Sequence, residues 1–145
     1  EIATRTSPGQ KMQNMPFTRN TDLALLLLRI VFGGLMIMGH GWGKMMKIFA
    51  GKLNEFGDPL GLGAPVSLAL ATFAEVACAL LVILGLFTRW AVVPLIITML
   101  VAVFIANMGE PLPKIELGLL YLTAFVAILL AGPGWYSLDA QWRKP

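Results

Sequence analysis

Four long apolar runs, at about 22–40, 65–87, 90–108 and 115–132, divide the chain, and polar residues are confined largely to the segments between them. A helix rises about 1.5 Å per residue and the hydrocarbon core of a bilayer is about 30 Å thick, so each run is long enough to cross it. The pattern predicts an all-α integral membrane four-helix bundle over residues 22–140, with a polar N-terminal tail at 1–21 and a C-terminal tail at 141–145. A secretory signal peptide is the competing reading of the first run. It fails because a convincing small-residue cleavage site is missing and three further spans follow.

Local signals set the boundaries. Pro65 suits the first turn of the second span, Thr88-Arg89 marks a tight turn, and Gly132-Pro133-Gly134 ends the fourth span. Pro94 is expected in the first turn of the third span, where its missing N–H breaks no hydrogen bond. Trp42, Trp90, Trp135 and Trp142 all fall at predicted span ends, as interfacial anchors do. Between spans 1 and 2, Trp42, Met45 or Met46, Phe49, Leu53 and Phe56 recur at helical spacing, with Lys44, Lys47, Gly51 and Glu55 on other faces. A short interfacial helix is predicted there, followed by a glycine-rich return loop at 57–63.

Composition agrees with the spans: 57% of residues are hydrophobic and 13% charged, against roughly 25% charged in a soluble domain. The lipid bilayer is therefore the expected principal partner. The net charge of +3 is carried mostly by the flanks of the apolar runs, which suits a membrane surface and argues against nucleic acid. Cys78 stands alone in an apolar run, so an intrachain disulfide or a cysteine-built metal cluster is excluded and a packing role is expected. His40 is the single histidine, which excludes bis-histidine haem within the chain and most zinc sites; no metal is predicted.

Residues 1 to 20 are polar and aperiodic, and are read as a processed end or a vector-derived extension outside the fold. Four spans put both termini on one side with Arg5, Lys11, Arg19, Arg89, Arg143 and Lys144. Lys44, Lys47, Lys52 and Lys114 fall on the other, so the positive-inside rule predicts cytoplasmic termini.

Charged residues inside a membrane segment cost about 2.5–3.5 kcal/mol each on insertion scales, so they normally face the bundle interior and find partners. Arg29 and Glu75 meet that description, and counting depth from the run ends separates their levels by about 5 Å. An Arg29–Glu75 ion pair is the simplest expectation; a pair that only fixes helix register is the plain alternative. Arg29, Gly33, Met36 and His40 share one helix face. His40, Asn107 and Glu116 fall near one boundary, where they could ring an opening above Glu75. Otherwise His40 touches headgroups and Glu116 is a helix N-terminal carboxylate favoured by the dipole. The segment Gly39-His40-Gly41-Trp42-Gly43-Lys44 lacks the preceding strand and the spacing of a phosphate-binding loop; its glycines are read as breaking the first helix.

These features together resemble the DoxX family of prokaryotic four-span membrane proteins. The resemblance covers about residues 22 to 140. It rests on Arg29, His40-Gly41 and Lys44, Ala74-Glu75, Gly85-Leu86-Phe87-Thr88-Arg89, Glu116, Gly132-Pro133-Gly134 and Ser137-Leu138-Asp139. The family is named from subunits associated with a terminal quinol oxidase and is related to DoxD-type subunits of thiosulfate:quinone oxidoreductase. It implies a location in the cytoplasmic (inner) membrane and marks Arg29, His40, Lys44, Glu75, Arg89, Glu116 and Asp139 as candidates. Arg89 and Asp139, on the same predicted side, are expected to bridge and fasten the C-terminal tail.

The resulting expectation is a quinone-interacting subunit of a membrane redox complex. Glu75 and His40 would act on protons, and Arg29, His40, Lys44, Glu75, Asn107 and Glu116 would surround the quinone, the one cofactor expected. Side chains here cannot store electrons, so a protein partner with a redox centre, or a homo-oligomer, is expected as well. A transporter or small-molecule binder using the same cavity, and a non-catalytic assembly subunit, are the alternatives.

Overall fold

The structure is a computed structural model, and residues 16–143 are described; the expected tail before residue 16 and the last two residues lie outside the described residues. Arg19–Phe49, Ala64–Leu84, Thr88–Ala106 and Leu112–Ala131 form four helices long and apolar enough to cross a membrane. Span 1 packs on spans 2 and 4, and span 3 on spans 2 and 4, so the four close into an antiparallel bundle. Leu27, Met38, Leu70, Trp90 and Leu130 are more than half exposed on the outside. Such surface is unfavourable in water and suited to lipid.

Span 1 comprises α1 (Pro16–Met36), a π-helical turn (Ile37–Gly41) and α2 (Trp42–Phe49), which follow one another without a break. The segment read as an interfacial helix is helical, but it extends span 1 to a length of 31 residues rather than standing apart. The glycines read as breakers lie inside the helix. The same extension carries Trp42 into the helix interior, so only Trp90, Trp135 and Trp142 flank span ends.

A short 3-10 turn (Leu53–Glu55) and a loop lead to span 2, made of α3 (Ala64–Thr72), a second π turn (Phe73–Cys78) and α4 (Ala79–Leu84). Pro65 occupies its first turn, and Gly85 ends it in the left-handed conformation with φ +70°. Span 3 comprises α5 (Thr88–Val101) and a third π turn (Ala102–Ala106); span 4 is α6 (Leu112–Ala131), and α7 (Leu138–Trp142) closes the chain.

Span 3 begins earlier than its hydropathy suggests, because Asp139 accepts hydrogen bonds from the Phe87 and Thr88 N–H groups at 2.8 and 2.9 Å. Helix-start N–H groups lack intrahelical acceptors, and a carboxylate supplies one. Pro94 consequently falls in the second turn, where it cannot donate to the Trp90 carbonyl. The buried core joins Met36, Cys78, Ala79, Val82, Val92, Leu95, Met99, Tyr121, Phe125 and Ile128 from all four spans.

Candidate functional site

The two glycines at which span 1 meets span 2 most closely fix their register. A Cβ on Gly33 would lie 3.2 Å from the Ala79 carbonyl oxygen, and one on Gly41 would lie 2.8 Å from that of Glu75. Gly41 therefore lets two π turns touch, one ending at Gly41 and the other holding Glu75. A π turn inserts a residue into the helical ladder and re-aims the side chains around it. Here the consequence is that Lys44, one turn past Gly41, reaches Glu75: Nζ donates to Oε2 at 2.7 Å. The Glu75 side chain is 4% exposed and that of Lys44 20%.

Glu75 lies eleven residues into span 2 from Ala64 and ten before Gly85, so the pair is about 15 Å from either end of the helix. The expected Arg29–Glu75 pair is not formed. Arg29 is fully buried, but its guanidinium is beside Gly85, ten residues from Glu75 along span 2. Depth counted from Asp22 placed Arg29 too deep: Asp22 reaches Trp135, past the end of span 4, and Arg29 stands level with Gly85 at the end of span 2.

A cavity of about 510 Å³ adjoins the pair, within the range of about 300–1,000 Å³ usual for small-molecule sites. Its walls come from spans 2 and 3, with Leu70, Ala71, Phe73, Ala74, Pro94, Ile97, Thr98, Val101, Ala102 and Ala106. The return loop adds Phe56, Pro59, Leu60 and Leu62, and Lys44, Glu75 and Ser67 are the polar exceptions apart from Thr98. Thr98 turns its hydroxyl to the Pro94 carbonyl at 2.8 Å, so the Lys44–Glu75 pair is the charged chemistry of the wall. Lys44 Nζ also lies 5.9 Å from the centre of the Phe56 ring, a cation–π contact.

The loop is held by one carboxylate. Asp58 Oδ1 accepts from Ser67 Oγ at 2.8 Å and Leu62 N at 2.9 Å, and Oδ2 from Gly63 N at 2.8 Å. The Ser67 hydroxyl and then the Gly63 N–H, against the opposing effect of desolvation, hold the Asp58 carboxyl below its ordinary value.

The other expected site residues are not gathered here. His40 is half-buried and meets the edge of Tyr121 with ring centres 5.5 Å apart, on the side of span 4 rather than in the cavity. Asn107 donates from Nδ2 to the Ala102 carbonyl at 2.7 Å, closing the third π turn of its own helix. Glu116 is exposed on span 4 and does not line the cavity. The open ring of His40, Asn107 and Glu116 above Glu75 is thus replaced by a cavity between spans 2 and 3. Among the described residues no group of three His, Cys, Asp or Glu is gathered for a metal ion.

A second polar cluster occupies the bundle end that bears the termini. Arg29 donates from Nη2 to the Tyr136 carbonyl, Asp22 accepts from Trp135 N at 2.9 Å, and Asp139 N donates to the Gly85 carbonyl at 2.9 Å. These bonds fold residues 132–142 across the bundle end. The expected Arg89–Asp139 bridge is absent among the described residues, because both Asp139 oxygens are engaged at the start of span 3. Arg89 is exposed, with its guanidinium beside Gly132. Burial pushes the Asp139 carboxyl up, but Thr88, the Phe87 N–H and the Arg143 charge together outweigh it and leave the group below its ordinary value.

Comparison with known proteins agrees with this architecture. An uncharacterized membrane protein of Mycobacterium tuberculosis is 29% identical over 138 residues, covering 83% of this chain and 82% of that protein. An uncharacterized protein of Haemophilus influenzae is 33% identical over 130 residues, covering 83% of this chain and 91% of that one. No solved structure matches. The DoxX family profile matches residues 24–108, which hold most of span 1, all of spans 2 and 3, Arg29 and the whole Lys44–Glu75 cavity. Four apolar helices, bacterial relatives and that match make this chain a membrane protein of the DoxX family.

Proposed function

We propose that the chain is a quinone-binding subunit of a membrane redox complex, and that the quinone headgroup occupies the cavity beside Lys44 and Glu75. The carrying observation is the pairing of one charged couple with an otherwise apolar cavity at mid-span. A quinone is a lipid-soluble ring with two carbonyl oxygens, and it needs apolar surroundings plus a donor at one end. Lys44 Nζ would donate to a carbonyl oxygen, and Glu75 would give or take the proton that accompanies electron transfer there. A bound quinone supplies the electron-accepting chemistry; a partner protein must deliver or remove the electrons, because the amino-acid side chains store none.

The charge distribution supports residence in the prokaryotic inner membrane with both termini cytoplasmic. With Lys44 inside the bundle, six Lys and Arg (5, 11, 19, 89, 143 and 144) face three (47, 52 and 114).

Titration of the purified chain in lipid nanodiscs with a short-chain quinone tests the reading. Saturable binding is expected, weakened about tenfold or more in Lys44→Met and in Glu75→Gln, the scale of a lost hydrogen bond to a charged group. Absence of saturable binding, or wild-type affinity in both variants, would overturn it. Uptake of a polar solute by liposomes holding the chain, dependent on the same residues, would favour a transporter instead.

A further inference from the structure

We infer that the cavity is loaded sideways from the bilayer, through a mouth between spans 2 and 3, and that the bound molecule leaves its tail in the hydrocarbon there. The inference rests on the quinone reading for the identity of the head. Its own support is the placement of exposed and buried residues around the cavity.

Leu70, Phe73 and Ile97 line the cavity, yet they are 54%, 57% and 53% exposed. They therefore form a rim open to the outside of the bundle rather than an interior wall. Leu70 and Phe73 are six and nine residues into span 2, and Ile97 is nine residues from either end of span 3. At about 1.5 Å per residue the rim is roughly 9–14 Å inside the helix ends, the level of acyl chains and not of headgroups. Ala71 and Ala102, small residues on spans 2 and 3, are part of the cavity wall.

On the water side the cavity is bordered by the return loop: Phe56 lies against Lys44, Leu60 and Leu62 line it at 49% and 51% exposure, and the bonds to Asp58 hold that loop to the start of span 2. What distinguishes the side between spans 2 and 3 is the depth of its rim in the hydrocarbon. At the inner end the polar atoms are nearly enclosed, Glu75 more than Lys44. A molecule that enters between spans 2 and 3 thus meets apolar surface first and the charged pair last. That order suits an amphiphile already dissolved in lipid: its head crosses the rim to the pair, and its tail never leaves the hydrocarbon. Head chemistry should then set specificity, and tail length should matter little once the tail reaches past Ile97.

Photolabelling tests this on the wild-type chain. A quinone carrying a diazirine on its tail is bound in nanodiscs, illuminated, and the labelled peptides are mapped. Labelling at Leu70, Phe73 and Ile97, displaced by excess unlabelled quinone, is expected; displaceable labelling on the 56–63 loop or on span 4 would overturn the inference. A kinetic arm uses Ile97→Trp and Leu70→Trp, both at exposed positions where bulk is tolerated, with Leu120→Trp on the exposed face of span 4 as control. The rim variants should slow quinone association about tenfold and the control should not. Association at the wild-type rate in both rim variants would sink the lateral route while leaving quinone binding intact. Absence of any quinone binding by the wild-type chain would remove the reading and the route together, so the two failures are told apart.

Discussion

Charged side chains are buried or half-buried in two regions of this bundle, and the two are built on different principles. At the terminal end, Asp22 and Asp139 accept from backbone N–H groups and Arg29 donates to a backbone carbonyl. Chain ends and helix starts have unpaired backbone groups, and these side chains satisfy them. About 15 Å away along span 2, Lys44 and Glu75 satisfy no backbone group; each has the other, next to a cavity. The first cluster is explained by the closure of the chain. The second is not needed for closure, because a buried ion pair replaced by well-packed apolar residues is often neutral or even stabilising. Polar residues that solve no folding problem are where function is best sought.

Substitutions that strike one region and spare the other sharpen this contrast. The largest effect on the terminal end is expected from Gly85→Ala. A Cβ there would lie 2.0 Å from Arg29 Nη1 and 2.4 Å from Ser137 Cβ, in a left-handed backbone. The combined strain and overpacking should cost about 2–5 kcal/mol, read as a fall in thermal stability in detergent, while quinone affinity of the folded fraction stays unchanged. Gly41→Ala should cost less stability and, unlike Gly85→Ala, should also lower affinity. Its Cβ would press on Val76 and on the Glu75 backbone at 2.7 and 2.8 Å, costing about 1–3 kcal/mol and weakening quinone binding, because the two π turns move apart and Lys44 loses Glu75. If Gly41→Ala left affinity untouched, the π-turn contact would not be what aligns the pair.

The smallest effect concerns pH. Asp139 has its folded pKa held below the unfolded value of 3.8. Its contribution to stability is therefore fully present above that value and lost as pH falls through the lower, folded one. Wild-type and Asp139→Asn chains should differ by a constant margin above about pH 5, and that margin should shrink at more acid pH. A margin independent of pH down to the acid limit would show that the carboxylate charge contributes nothing to the clasp.

The four spans were legible because hydropathy alone dictates them: a long apolar run in lipid must satisfy its own backbone, and a helix does so. The same principle explains the main misreading. Gly39, Gly41 and Gly43 look like breakers by their helix propensity, a cost of about 1 kcal/mol each in water. In a membrane an interrupted helix leaves polar backbone groups unpaired, which costs more, so the chain passes through as a π turn and carries Lys44 down to Glu75. Both partners of the Lys44–Glu75 pair stood among the expected residues, but Glu75 was matched to Arg29 because depth was counted from Asp22, which reaches past the end of span 4 to Trp135. Arg89 and Asp139 were matched by charge, and the unpaired N–H groups at Phe87 and Thr88 proved the stronger claimants. The cavity had no sequence signature at all, since Leu70, Phe73 and Ile97 are indistinguishable from other lipid-facing residues until spans 2 and 3 are set side by side.

A double-substitution cycle across Lys44 and Glu75, read in parallel for thermal stability and for quinone binding, tests the central claim most directly. Lys44→Met alone should destabilise by about 3–5 kcal/mol by leaving Glu75 without its partner, and pairing it with Glu75→Met should recover most of that loss. The account predicts that the recovered double variant folds as well as the wild type and binds no quinone. A double variant that binds quinone with wild-type affinity would contradict it, and would make the ion pair a device for holding span 1 against span 2.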